Sequence, residues 1–151
     1  MSEITRISDQ LHRAFYGEAW HGPSVMELLK GVTATQAAAH PMPPAHSIWE
    51  VVNHIAAWKE AVVRRLQGEA VELKGDKDWP PVKDANASSW KKALAALEEA
   101  HQRLEKTVSG LSDPVLDGPV PNRDHNVYFM LHGVIQHDLY HAGQIAVLKK
   151  A

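Results

Sequence analysis

Apolar residues recur in steps of three and four along four long stretches of this chain, and that period commits it to helices packed side by side. The first stretch runs from about Glu3 to Gly17, with Ile4, Ile7, Leu11, Ala14 and Phe15 on one face. The second opens at Ser47-Ile-Trp-Glu50, a capping-box pattern, and carries Ile48, Val51, Val52, Ile55, Trp58, Val62 and Leu66 up to Gly68. The third is expected from near Ser88 to Gly110, with Trp90, Leu94, Leu97, His101, Leu104 and Val108 in register, and Leu111 just beyond. The fourth spans about Asn126 to Lys150 through Val127, Leu131, Val134, Asp138, His141, Ile145 and Leu148. An all-α four-helix bundle forming one domain over residues 1–151 is the predicted architecture.

The fourth helix departs from a simple amphipathic pattern. Asp138 and His141 interrupt its apolar seam, and Tyr128, Ile135, Leu139, Ala142 and Ala146 form a second apolar stripe. Burial on two sides is implied, and a homodimer would supply the second partner. The connections Gly68 to Ala87 and Leu111 to His125 are long and rich in Pro, Gly, Asp and Asn, as segments that line a pocket or cross a bundle often are. Short helical turns are expected at Ser24 to Lys30 and Thr33 to Ala39, before Pro41, Pro43 and Pro44 force an extended path.

Composition narrows the function classes. Sixteen Lys and Arg against eighteen Asp and Glu give a formal charge of −2 with no basic stripe, which disfavours nucleic acid. No apolar run approaches the roughly 20 residues of a membrane span, and Met1-Ser-Glu-Ile-Thr-Arg6 is no signal segment, so a cytoplasmic location away from membranes is expected. The chain has no cysteine, so a metal site here must use nitrogen and oxygen ligands, and any thiol must arrive with a substrate.

The chemistry concentrates in His137-Asp-Leu-Tyr-His141-Ala-Gly-Gln-Ile145. Two imidazoles four residues apart on a helix differ by only about 40° in azimuth and can face one cation. Ten histidines in 151 residues produce about 0.6 such pairs by chance, so the spacing needs support. His54 gives it, lying inward between Val51 and Trp58 on the second helix. Three neutral imidazoles, His54, His137 and His141, would leave coordination positions open, as in a catalytic rather than a structural centre.

The stretch Ile48-Trp-Glu-Val-Val-Asn-His54-Ile-Ala-Ala-Trp58, together with the string from His137 to Ile145, resembles the DinB superfamily, which includes the YfiT-like metal-dependent hydrolases. The resemblance runs along essentially the whole chain in helix order. It implies an up-down-down-up four-helix bundle, commonly dimeric, that binds nickel or zinc through three histidines falling here at His54, His137 and His141. Characterised members include bacillithiol transferases and mycothiol-dependent maleylpyruvate isomerase, so a low-molecular-weight thiol is an implied cosubstrate.

A divalent ion on three imidazoles can lower the pKa of water, stabilise a thiolate or polarise a carbonyl. The expected function is therefore a metal-dependent enzyme acting on a small molecule, either a hydrolase or a thiol S-transferase. A metal-binding or stress-related accessory protein without turnover is the alternative.

Asp138 and Glu50 are the candidate carboxylates for orienting an imidazole or acting as general base, although Glu50 also suits its helix cap. Gln144, one turn beyond His141, is read first as a helix-packing residue. His101 is expected to be a hydrogen-bonded core residue, His132 to point away from the pair, and His12, His40, His46 and His125 to lie on the surface or in loops. His21 is read as part of a helix-exit turn, and Trp79, in the Pro-rich loop, as a cover for the site.

Overall fold

A short polar side chain stands at the start of every α-helix and takes up an amide that the first turn leaves unpaired. The computed structural model describes residues Met1–Ala151. Helices α1 (Glu3–Tyr16), α4 (Ile48–Leu66), α5 (Ala87–Ser109) and α6 (Val127–Leu148) are the long ones, capped by Ser2, Ser47, Asn86 and Asn126. Two single-turn helices, α2 (Val25–Leu29) and α3 (Ala34–Ala38), carry Ser24 and Thr33 as caps. Ser47 and Glu50 form the expected capping box, and Ser24 and Glu27 form a second one. The fold is all-helical, with single 3₁₀ turns at Gly75–Lys77 and Asp113–Asp117 in the two long connections. No helix is long and apolar enough to cross a membrane.

Gly17 ends α1 with φ of 153°, and its amide donates to the Arg13 carbonyl. A Cβ at this position would meet Glu27 Oε1 at 2.8 Å, so the glycine lets the end of α1 close onto the capping box of α2.

The core divides into two apolar clusters stacked along the bundle. One gathers Ile4, Ile7 and Leu11 of α1, Val62 and Val63 of α4, Leu104 and Val108 of α5, and Val127, Leu131 and Val134 of α6. The other gathers Phe15 of α1, Ile48, Val52 and Ile55 of α4, Trp90 and Leu97 of α5, and Ala142, Ile145 and Leu148 of α6. Helices α1 and α6 therefore run from the first cluster to the second, and α4 and α5 run the other way. Parallel neighbours need a connection that returns the full helix length, about 28 Å for the 19 residues of α4. That requirement explains the long segment between Leu66 and Ala87.

A polar band separates the clusters. Lys59 and Asp138, both fully buried, meet with Nζ to Oδ2 at 2.6 Å and join α4 to α6. Burial pushes the Asp138 carboxyl up and the Lys59 ammonium down, and each partner's charge opposes that shift. Lys59 also stands 4.9 Å from the centroid of the Phe15 ring. His101 lies in the same band, stacked on Phe15 at 3.8 Å. The expectation of a hydrogen-bonded His101 is corrected: neither ring nitrogen makes a hydrogen bond, and Glu105 Oε1, 3.2 Å from Nε2, lies out of line. Burial first, and the Lys59 charge second, hold the His101 pKa down at about 2.

The second apolar stripe of α6 is largely covered by the chain itself. Ile135 and Ala142 are buried, Leu139 packs on the first cluster, and α1 and α2 both lie against α6. The stripe therefore gives no reason of its own for a second subunit. Phe129, Tyr140 and Val147 remain exposed on another line of the helix.

Removing one partner of the buried pair leaves an uncompensated charge. Lys59→Met or Asp138→Ala is expected to lower the unfolding free energy in urea by about 3–5 kcal/mol, and the double variant Lys59→Met/Asp138→Leu to recover most of that loss. His101 gives a pH dependence of known sign. The unfolded chain takes up its proton near 6.5 while the folded chain resists it, so stability is full above that value and is lost as the pH falls below it. The urea midpoint should fall between about pH 7.5 and about pH 5, and His101→Leu should flatten that slope.

Candidate metal centre and its cleft

His54 enters from the second turn of α4, and His137 and His141 enter from one face of α6. The antiparallel contact of the two helices across Lys59 and Asp138 sets them level. His137 Nε2 lies 3.0 Å from His54 Nε2 and 3.1 Å from His141 Nε2, and one ligand nitrogen from each ring falls within 4.8 Å of the others. Donors held about 2.0–2.1 Å from a shared cation stand about 3 Å or slightly more apart, so the spacing suits a single divalent ion.

Two of the rings have their tautomers set. His54 Nδ1 donates to the Asp78 carbonyl at 2.6 Å, and His141 Nδ1 donates to Gln144 Oε1 at 2.6 Å, which turns both Nε2 lone pairs toward the centre. His137 Nδ1 is buried without a partner. Burial is the leading cause that lowers the pKa of all three. It is offset at His54 by the Asp78 carbonyl and at His141 by Gln144, and reinforced at His137 by the other two imidazoles, bringing His137 to about 3. The site is therefore neutral and ready to donate at physiological pH.

The loop after α4 completes the wall. Its 3₁₀ turn is closed by the amides of Asp78 and Trp79 on the Gly75 carbonyl and is tied to α4 by Asn53 Nδ2 on the Pro80 carbonyl. Asp78 Oδ1 accepts the Trp58 indole N–H at 2.8 Å and stands 3.2 Å from His54 Nδ1. Trp79 stacks on His54 with centroids 3.8 Å apart, and His46 stacks on its other face at 3.6 Å. Trp79 thus covers one side of the centre, as its place in the Pro-rich loop suggested.

The imidazoles open into a cleft of about 500 Å³ whose walls include Trp58, Val62, Phe129, Met130 and Val134, with Arg65 and His125 also lining it. The two expected carboxylates stand elsewhere. Asp138 is engaged with Lys59 below the centre, and Glu50 accepts from the Ser47 amide at 2.7 Å and lies 2.8 Å from His40 Nε2. Neither makes a hydrogen bond to the three histidines. Burial would raise the Glu50 pKa, but the Ser47 amide and His40 outweigh it and hold the carboxyl below its usual range.

Gln144 is more than a packing residue, because it fixes the His141 ring. His125 and His46 are loop residues, as read, and the structure adds that His125 lines the cleft while His46 backs Trp79. His21 is exposed and lies outside the cleft, and His132 packs toward Tyr128, away from the centre. Asp78 was missed because a loop residue carries no helical period. Lys59 had a signal: it falls between Ile55 and Val62 on the buried stripe, where a lysine needs a buried partner.

Gln144→Leu leaves His141 free to rotate or change tautomer, and zinc affinity measured by competition with a chelating dye should drop about 10–100-fold. His54→Ala should abolish tight binding, since two imidazoles remain.

A family model described as the DinB superfamily matches residues 20–145, which include all three histidines, the Asp78 loop and Gln144. Neither the curated proteins nor the solved structures contain a match. With a matched segment that spans most of its length, the chain belongs to the DinB superfamily.

Proposed function

We propose that this protein is a metal-dependent thiol S-transferase acting on a small electrophile. The observation that carries the reading is the convergence of three neutral imidazoles at the head of a largely apolar cleft whose one lining carboxylate, Asp78, already accepts the Trp58 indole N–H. His54, His137 and His141 would hold a nickel or zinc ion, both of which accept all-nitrogen ligands. When bound, such an ion supplies the positive charge that keeps a thiol deprotonated at neutral pH.

The chain's own residues account for the remaining requirements. Asp78 and Gln144 hold two imidazoles in the donating tautomer. Trp79 shields His54 from solvent, and Lys59 with Asp138 keeps α4 and α6 in register. The carboxylates nearby are already committed: Asp78 to Trp58, Asp138 to Lys59, and Glu50 to its helix start. Hydrolysis, in which a carboxylate commonly activates water, is for that reason the second reading. A thiol needs less help, because its ordinary pKa is already near 8.5.

In the transfer, the sulfur of the thiol forms a bond to an electrophilic carbon while the bond from that carbon to its leaving group breaks with the electron pair. The thiol proton passes to solvent. The protein offers no cysteine that could compete as nucleophile. Homodimer formation belongs to the same proposal, supported by the exposed Phe129, Tyr140 and Val147 on one line of α6.

Elemental analysis of protein purified without chelator should give about one nickel or zinc per chain, lost in His137→Ala with the helical circular dichroism retained. The loaded protein should accelerate the reaction of a panel of small thiols with chlorodinitrobenzene, and His137→Ala should not. Metal binding without turnover of any thiol or ester would favour the non-catalytic accessory role. Absence of metal after reconstitution would overturn the reading altogether.

A further inference from the structure

The far end of the cleft holds a positive charge that has no carboxylate partner. Arg65, in the last turn of α4, is only 6% exposed, yet its Nε and Nη2 donate to a single backbone carbonyl, that of Val71, at 3.1 and 2.9 Å. Arg123 Nη2 donates to the same oxygen at 3.2 Å, so two guanidinium groups share one neutral acceptor. Glu72, whose charge reaches Arg65, is instead paired in solvent with Lys74 at 3.1 Å. A buried cation is ordinarily matched by an anion, and this one is not.

Arg65 nevertheless faces usable space. It lines the same cleft as the three histidines, and Trp58 stands between them: its ring lies 5.3 Å from the guanidinium carbon and 6.0 Å from the His137 ring. One aromatic ring therefore separates the cation from the imidazoles. With Nε and one Nη2 hydrogen directed to Val71, the edge formed by Nη1 and the second Nη2 hydrogen stays free, and that edge matches the two oxygens of a carboxylate. Between the two ends the wall is apolar, formed by Val62, Met130 and Val134.

We propose that the cleft takes a small molecule carrying a carboxylate, bound by Arg65, with a short apolar body lying along Trp58 and its reacting end at His54, His137 and His141. Arg65 is then a specificity-determining residue. This inference rests on reading the cleft as the substrate site of the metal centre. A carboxylate fits better than a dianion, because Arg65 is the one guanidinium that lines the cleft.

The test is an NMR titration of zinc-loaded and of metal-free protein with hexanoate and with hexanol, following the Trp58 indole N–H. Hexanoate should bind at least about ten-fold more tightly than hexanol in both forms, which corresponds to one good charge-assisted contact. Arg65→Met should remove the preference and Arg65→Lys should keep part of it, with thermal melts confirming that each variant is folded. Equal binding of the two ligands by wild type would overturn the proposal. So would a preference that survives in Arg65→Met or appears only with zinc present, since the ion would then be the carboxylate's partner. Should the protein fail to hold zinc while the metal-free form keeps an Arg65-dependent preference, the metal reading fails and the carboxylate site stands.

Discussion

The buried contact between Lys59 and Asp138 is the constraint on which the functional architecture rests. It joins the middle of α4 to the middle of α6 at a depth where neither charge tolerates solitude. Apolar packing alone resists sliding weakly, because one leucine seats almost as well a turn further along. A lysine that must reach one carboxylate permits a single register. His54 lies five residues before Lys59, and His141 three residues after Asp138, so the register that satisfies the pair also brings the imidazoles together across the antiparallel interface.

The centre is built mainly from rigid parts. All three histidines project from long helices, and Gln144 fixes His141 from within the same helix turn. The loop that follows α4 contributes what the helices lack, an acceptor for His54 and an aromatic lid. The same loop carries Val71, which anchors Arg65 at the opposite end of the cleft. One crossover segment therefore borders both ends of the cavity. Its length, demanded by two parallel helices, is also what allows it to form a wall.

The helices and the imidazoles were legible in the sequence because both depend on local spacing. A period near 3.6 marked each long helix, and the Ser47 capping box placed the start of α4 to the residue. The pair His137 and His141 belongs to one helix face, and His54 fell on the buried stripe of another. Asp78 and Arg65 were not legible in this way. Asp78 meets His54 through a backbone carbonyl that any residue could supply and Trp58 through a carboxylate on a loop without a helical period, and Arg65 sits where an exposed arginine ending a helix would also be unremarked. The second stripe of α6 was read correctly as apolar, but its partner proved to be α1 and α2 of the same chain.

By itself, the sequence determined which segments are helical, which faces they bury, and which three nitrogen donors are available without a competing thiolate. These are properties of neighbours along the chain, set by side-chain period and backbone capping. Only the tertiary structure decided that the donors converge, that Lys59 answers Asp138, that Asp78 reaches His54, and that Arg65 faces the cleft without a carboxylate partner. Those outcomes depend on contacts between residues far apart in the chain, for which the spacing of the sequence holds no record.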